Sequence, residues 1–314
     1  MTSSFLRRLV STLVAGVVLM LCLRYLFIHF QWQEAFTVLA GARVFQLVGW
    51  GAVTVLLYWL LRTLRWYCLL CCHEIHVPFP DLFLITSLSL AFSIVTPFQS
   101  GEMMKVEWMK RRGFAGRACG YGIFAVERGM DLAVVIGAAI VSGFADHFGI
   151  GSDASMKWLL PVIFFVLAGG KWFLKGKRFE GKTGTFLEAV RTAFKTPWQG
   201  MTVLILTVGA WMMTAVGWHV CLISIGMEIG YIRSLILTLW VTLINILSMV
   251  PGAVGVSEVS IAELLIFWGY PAPLSQAGAL SLRLYSMLIL ACGAVLFVLN
   301  QTRIAFGVLY GNRS

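Results

Sequence analysis

Six stretches of this chain, near residues 9–29, 44–70, 118–145, 158–174, 200–225 and 274–300, are long, apolar and almost free of charge. A bilayer offers no water to backbone N–H and C=O groups, so a segment crossing it must satisfy them internally, as a helix does. A span needs about 20 residues at ~1.5 Å each to cross ~30 Å of hydrocarbon. Composition agrees: 59% of residues are hydrophobic and 12% charged, with mean hydropathy +0.86, whereas a soluble domain carries roughly 25% charged residues. The expected fold is all-α, a polytopic membrane bundle with about six full spans, residues 1–314 forming a single membrane domain. The first run, Leu9 to Ile28, is interrupted by Arg24 and followed by no small-residue cleavage site. It reads as a retained helix and not as a signal peptide.

Two further apolar runs are broken. Residues 82–96 stop at Thr96-Pro97, and residues 234–250 stop at Pro251-Gly252, each short of a full span. Proline removes a backbone donor and ends the helix, while glycine permits the sharp turn. A second helix-like stretch follows each break, at 101–112 and 257–269. Loop charge decides how these segments lie. If both are re-entrant helical hairpins, one face holds Arg7, Arg8, Arg62, Arg65, Lys105, Lys110, Arg111, Arg112, Arg117, the basic residues from Lys171 to Lys195, Arg303 and Arg313. Only Arg24, Arg43, Lys157 and Arg233 take the other face, with Arg128 and Arg283 left in membrane helices. Cytoplasmic loops carry the excess of Lys and Arg, so both termini are expected in the cytoplasm. A full span at 82–96 would put the two basic blocks on opposite faces and spoil that bias. On this reading Arg62 and Arg65 snorkel at the cytoplasmic interface. The topology and anionic headgroups together account for the net charge of +10, so no nucleic-acid partner is expected.

The order of break, acid and arginine recurs along the chain. Arg65, Glu74, Pro97, Gly101, Glu102 and Arg128 are answered by His219, Glu228, Pro251, Gly255, Glu258 and Arg283. The offset is 154 residues at Pro97/Pro251 and drifts to 155–156 at the last two pairs. With the topology above, repeat unit 44–145 and repeat unit 200–300 are inverted with respect to each other and joined by a linking helix, 158–174. Inverted repeats with broken helices place substrate sites near the midplane, where the repeats meet.

Non-helical backbone survives in a membrane where it lines a cavity, so the tips Pro97–Glu102 and Pro251–Glu258 imply a polar cavity. Ser100 and Ser257 are expected N-caps of the returning half-helices. The positive ends of those half-helices suit an anion such as a lipid phosphate. Glu102 and Glu258, in the first turns, either bind a cationic group or a coupling proton, or only cap their own helices. Glu127 and Asp131 share a helix face with Arg128 beside it, and Arg283 has Glu258 as its repeat-equivalent partner. These charges act either as static interhelical ion pairs or as a path lining that grips phosphate through a guanidinium fork. The seven cysteines lie mostly in or beside apolar runs, which argues against a disulfide framework. Cys71, Cys72, His73 and His76 match no zinc spacing. No metal and no cofactor is expected.

Three motifs occur in order: Pro97-x-x-x-Gly101-Glu102-x-x-Lys105, Glu127-Arg128-x-x-Asp131, and Pro251-Gly252-x-x-Gly255-x-x-Glu258. Together they resemble the lysylphosphatidylglycerol synthase transmembrane-domain family, also described as flippase-like, over roughly residues 10–305. The resemblance implies a protein of the bacterial-type inner membrane that moves a lipid or lipid-linked substrate between leaflets. Candidate classes are polyprenyl-phosphate sugars, hopanoids and phospholipids. Its site residues would be those motif positions with Ser100, Ser257 and Arg283. In the family's namesake a soluble aminoacyl-transferase domain follows the membrane region; this chain ends at Ser314, so the translocating half alone is expected. The implied partners are a membrane lipid and either a second copy of the chain or a lipid-synthesis enzyme. Two rival readings stand beside transport. One is an intramembrane enzyme acting on a lipid headgroup, although Gly-x-Ser-x-Gly, His-Glu-x-x-His and a lysine-bearing phosphate loop are all missing. The other is a non-transporting partner of a lipid-synthesis enzyme. No nucleotide-binding motif is present, so ATP is not consumed by these residues.

Overall fold

The structure is a computed structural model that describes residues 2–147, 181–193, 195, 197–248 and 250–310. The expected linking helix 158–174, the basic residues Lys171 to Arg178 and Arg313 lie outside the described residues. Every element among the described residues is helical. In chain order these are α1 (Thr2–His29), α2 (Trp32–Ala40), α3 (Gly51–Cys71), α4 (Phe79–Ser93), α5 (Met104–Arg111) and α6 (Arg117–His147). They are followed by α7 (Gly181–Thr192), α8 (Pro197–Ser224), α9 (Tyr231–Ser248), α10 (Val256–Phe267) and α11 (Ala272–Tyr310). A π turn, Gln46–Trp50, leads into α3.

Four of these segments are long and apolar enough to cross a membrane: Gln46–Cys71, Trp198–Ser224, Tyr231–Ser248 and Ala272–Gln301. Their outward faces carry bare apolar side chains such as Leu56, Ile205, Val295 and Val298. Facing water, an apolar envelope of this extent would drive association; facing lipid tails it is matched by its surroundings. The molecule is a membrane helical bundle. Its tightest internal seam runs between α3 and α8, where Trp59, Val55, Leu222 and Tyr285 close one core. A second core, around Trp66, Leu69, Met109 and Ile123, wraps the other half of α3.

Both predicted breaks are present. α4 ends at Ser93, and after a short turn the chain makes a 3-10 turn, Pro97–Met103, that runs into α5. Gly101 is fixed there by space: a Cβ would lie 2.7 Å from the Ser93 nitrogen and 2.8 Å from the Phe92 carbonyl carbon, both backbone atoms. The Gly101 N–H donates to Thr96 Oγ1 at 2.8 Å, which ties the two limbs of the turn together. The second break is a 3-10 turn, Pro251–Ala253, leading into α10. Gly252 and Gly255 supply its left-handed backbone at φ 63° and 80°. The two tips touch, and a Cβ on Gly252 would stand 3.3 Å from the Ile94 carbonyl oxygen.

The arms differ in length from the sequence expectation in one respect. α4 has 15 residues, about 22 Å, and is short as expected. α9 has 18 residues, about 27 Å, because Tyr231-Ile232-Arg233 adds a turn that the apolar run 234–250 left out. The expected serine caps are also corrected. Ser100 lies inside the 3-10 turn, and the N-cap position of α5 falls at Met103. Ser257 is the second residue of α10, whose N-cap position is Gly255. The 3-10 turns take up the residues that would otherwise form the first α turn, since their tighter winding suits helix ends.

Candidate functional site

Charge inside an apolar bundle must be matched where it stands, and the first tip sits on a cluster that does this across several elements. α3 contributes Arg62 and Arg65, the first 3-10 turn and α5 contribute Glu102 and Lys105, α6 Glu127, Arg128 and Asp131, and α8 the hydroxyl of Thr207. Arg62 Nη2 donates to both Glu102 oxygens at 3.0 and 2.8 Å, and its Nη1 to Asp131 Oδ2 at 2.7 Å. Arg65 donates to Asp131 Oδ1 and to Glu127 Oε1, each at 2.7 Å, and to Thr207 at 3.0 Å. Lys105 pairs with Glu127 and rests over the Trp66 ring, 4.3 Å from its centroid.

Arg62 is 2% exposed and Arg65 fully buried, so neither snorkels. They stand three residues apart on one face of α3, beside the buried Trp59 and Trp66. The carboxylates of α6 draw that face inward. Four cations here face three carboxylates. The surplus emerges at Arg128, the least buried of the four at 22% side-chain exposure.

Arg128 binds Glu102 at 2.6 Å and reaches the first tip through Gln99, donating to its side-chain oxygen at 2.9 Å and its carbonyl at 3.4 Å. The second tip is held in the same manner. Arg283 pairs with Glu258 and donates to the carbonyls of Gly252 at 3.1 Å and Ala253 at 3.4 Å, and to Ser257 Oγ at 2.9 Å. Glu258 in turn accepts the Gly255 N–H at 2.8 Å, so it caps α10 as well as pairing. Gln99 and Ala253, the tip residues gripped by the two arginines, both hold positive φ, 54° and 47°. They are 154 residues apart, the spacing of Pro97 and Pro251.

Between the tips lies a cavity of about 180 Å³, lined by Ser93, Thr96 and Gln99 from one side and Asn245, Ser257 and Arg283 from the other. That is room for roughly six waters at ~30 Å³ each. The buried Asn245 Oδ1 has no hydrogen-bond partner among the described residues.

The structure therefore divides the sequence-derived candidates into three groups. Gly252, Ser257 and Arg283 line the cavity, with Glu258 paired to Arg283, and Arg128, paired to Glu102, reaches it through Gln99. Lys105, Glu127 and Asp131 are locked in the buried cluster behind it. Pro97, Gly101, Pro251 and Gly255 shape backbone, while Ser100 belongs to the turn. Gln99, Asn245 and Thr96 were missed because neutral polar residues in an apolar run carry no charge signal. Elsewhere, both ring nitrogens of His73 lie 2.8 Å from carbonyl oxygens, of Leu69 and Ala189, which ties α3 to α7. Among the described residues no three His, Cys, Asp or Glu side chains are grouped to hold a metal. Where α5 passes into α6, Arg117 donates two hydrogen bonds to Glu107 and so holds its carboxyl below the ordinary carboxylate range.

Residues 9–293 match the family described as the lysylphosphatidylglycerol synthase TM region. The chain is also similar to a UPF0104 membrane protein of Methanothermobacter thermautotrophicus, with 32% identity over 94 residues. That alignment covers 30% of this chain and 28% of the relative's length.

Proposed function

On the premise that this chain belongs to the lysylphosphatidylglycerol synthase TM-region family, we propose that it moves an anionic lipid or lipid-linked phosphate between membrane leaflets. The headgroup passes through the cavity between the tips. In this reading the two broken segments are re-entrant hairpins entering from opposite faces, and residues 44–145 and 200–300 are inverted repeats. The observation that carries it is the pairing of two touching, arginine-held tips around one small polar cavity, backed by a cluster with one cation more than it has carboxylates. Cation surplus at Arg128 and the guanidinium of Arg283 suit phosphate, which each fork binds through parallel N–H donors. The like treatment of Gln99 and Ala253 at a spacing of 154 residues supports the repeat. Arg62, Arg65 and Lys105 leave the list of loop cations, yet the basic excess keeps its sign, which supports cytoplasmic termini.

The test is transport by the purified chain in liposomes carrying fluorescent phosphatidylglycerol, with phosphatidylcholine as the neutral comparison and a polyprenyl phosphate as a further substrate. Arg283→Gln should slow movement of the anionic lipid by about tenfold, equivalent to the ~1.4 kcal/mol of one good charged contact, while the protein remains monodisperse. Equal rates for wild type and variant would remove the cavity from the pathway. New lipid species on thin-layer chromatography would favour a headgroup-modifying enzyme instead.

A further inference from the structure

A second cavity, of about 420 Å³, opens away from the tips between α4, the end of α5 and the distal part of α11. One helix face of α4 forms its floor, Asp81, Leu84, Ile85 and Leu88, at the i, i+3, i+4, i+7 spacing of a continuous stripe. Trp108, Arg112 and Asn300 close it. The Arg112 guanidinium lies 5.8 Å from the Trp108 ring centroid. Asp81 and Arg112 thus line one cavity with opposite charges, and neither forms an ion pair among the described residues. Lys110 adds an exposed cation on the same turn of chain.

We propose that this cavity binds the headgroup of an amine-bearing zwitterionic phospholipid, a phosphoethanolamine group, independently of the transport cavity. The phosphate sits on Arg112, whose planar fork matches its oxygens. The ammonium donates to Asp81, and the acyl chains follow Leu84 and Leu88 out into the bilayer. Trp108 takes the place interfacial tryptophans favour, between polar headgroup and apolar chain. A purely anionic lipid would satisfy Arg112 and leave Asp81 facing like charge. A quaternary amine would meet Asp81 without an N–H to donate. The volume admits roughly fourteen waters at ~30 Å³ each, enough for such a headgroup.

Native mass spectrometry of the full chain in detergent reads the proposal directly, with short-chain phosphatidylethanolamine, phosphatidylcholine and phosphatidylglycerol titrated in parallel. Phosphatidylethanolamine should bind saturably and about tenfold more tightly than either of the others, the size of one good hydrogen-bonded charge contact. Asp81→Asn should reduce it to the level of phosphatidylcholine without changing phosphatidylcholine binding, and Arg112→Gln should weaken all three. Both residues are exposed, so the variants are expected to melt with the wild type. Equal binding of phosphatidylglycerol and phosphatidylethanolamine, or an Asp81→Asn variant that still prefers phosphatidylethanolamine, would overturn the assignment. Displacement of the lipid by equimolar glycerophosphoethanolamine would overturn its lipid part and leave a soluble phosphodiester as ligand. Liposome transport by Asp81→Asn should equal wild type, which separates failure here from failure of the transport reading.

Discussion

Glu127 is the residue on which the buried cluster can be tested most sharply. It is fully buried and bonded to Arg65 at 2.7 Å and to Lys105, with Arg62 at 3.6 Å. Glu127→Gln keeps the shape and removes one charge, leaving four cations against two carboxylates in a region closed to solvent. Removing one partner of a buried pair costs about 3–5 kcal/mol, because the charge left behind is uncompensated. At about 2–4 °C per kcal/mol for a large domain, melting should fall by roughly 6–20 °C. Glu107→Gln removes a carboxylate from the exposed pair with Arg117 and should leave melting nearly unchanged, as surface pairs do. Adding Lys105→Met to Glu127→Gln returns the cluster to a single surplus cation and should recover most of the loss. The assay is fluorescence-detected size exclusion after heating in detergent. A Glu127→Gln shift no larger than that of Glu107→Gln, or no recovery in the double variant, would show that the charges are not balanced against one another.

Three further outcomes follow from backbone and contacts. Gly101→Ala pushes a Cβ into the backbone of Phe92 and Ser93 and should cost about 1–3 kcal/mol, read as a lower melting temperature and slower lipid movement. Ala253→Gly relieves a left-handed alanine; the strain of ~1–2 kcal/mol exceeds the unfolded-state entropy glycine adds, so melting should rise by a few degrees, and a fall would refute the strain. His73→Ala removes one polar tie between the end of α3 and α7, while α7 stays packed on α6. Limited proteolysis within 181–192 should therefore rise by only about two- to threefold, on the order of half a kcal/mol, with the spans intact.

Much of this was legible in the chain. Pro97 and Pro251 mark the breaks because a proline inside a helical run removes a backbone hydrogen bond and its ring clashes with the preceding turn. The pairing of Arg283 with Glu258 could be read because Glu258 precedes it by nearly the spacing that separates Glu102 from Arg128. The burial of Arg62 and Arg65 was less accessible. A charge near the end of a long apolar run reads equally well as snorkelling, and only the three-dimensional approach of α6 decides between the two. The signal was nonetheless present: two arginines three residues apart, flanked by Trp59 and Trp66, share a single face. The caps at Ser100 and Ser257 failed for a different reason, since sequence does not show where a 3-10 turn yields to an α turn. Gln99 and Asn245 had no signature beyond polarity.

The touching tips also carry an electrical consequence. If water reaches each tip from its own side, the insulating layer between the two compartments shrinks to the few residues where Gly252 meets Ile94. Most of the membrane voltage then drops across that layer. On the transport reading proposed above, a phosphate crossing it would do nearly all its electrical work in one short step, ~2.3 kcal/mol per charge per 100 mV. Polarity of the resting potential, with no fuel-binding site required, would favour export of an anionic headgroup over its import.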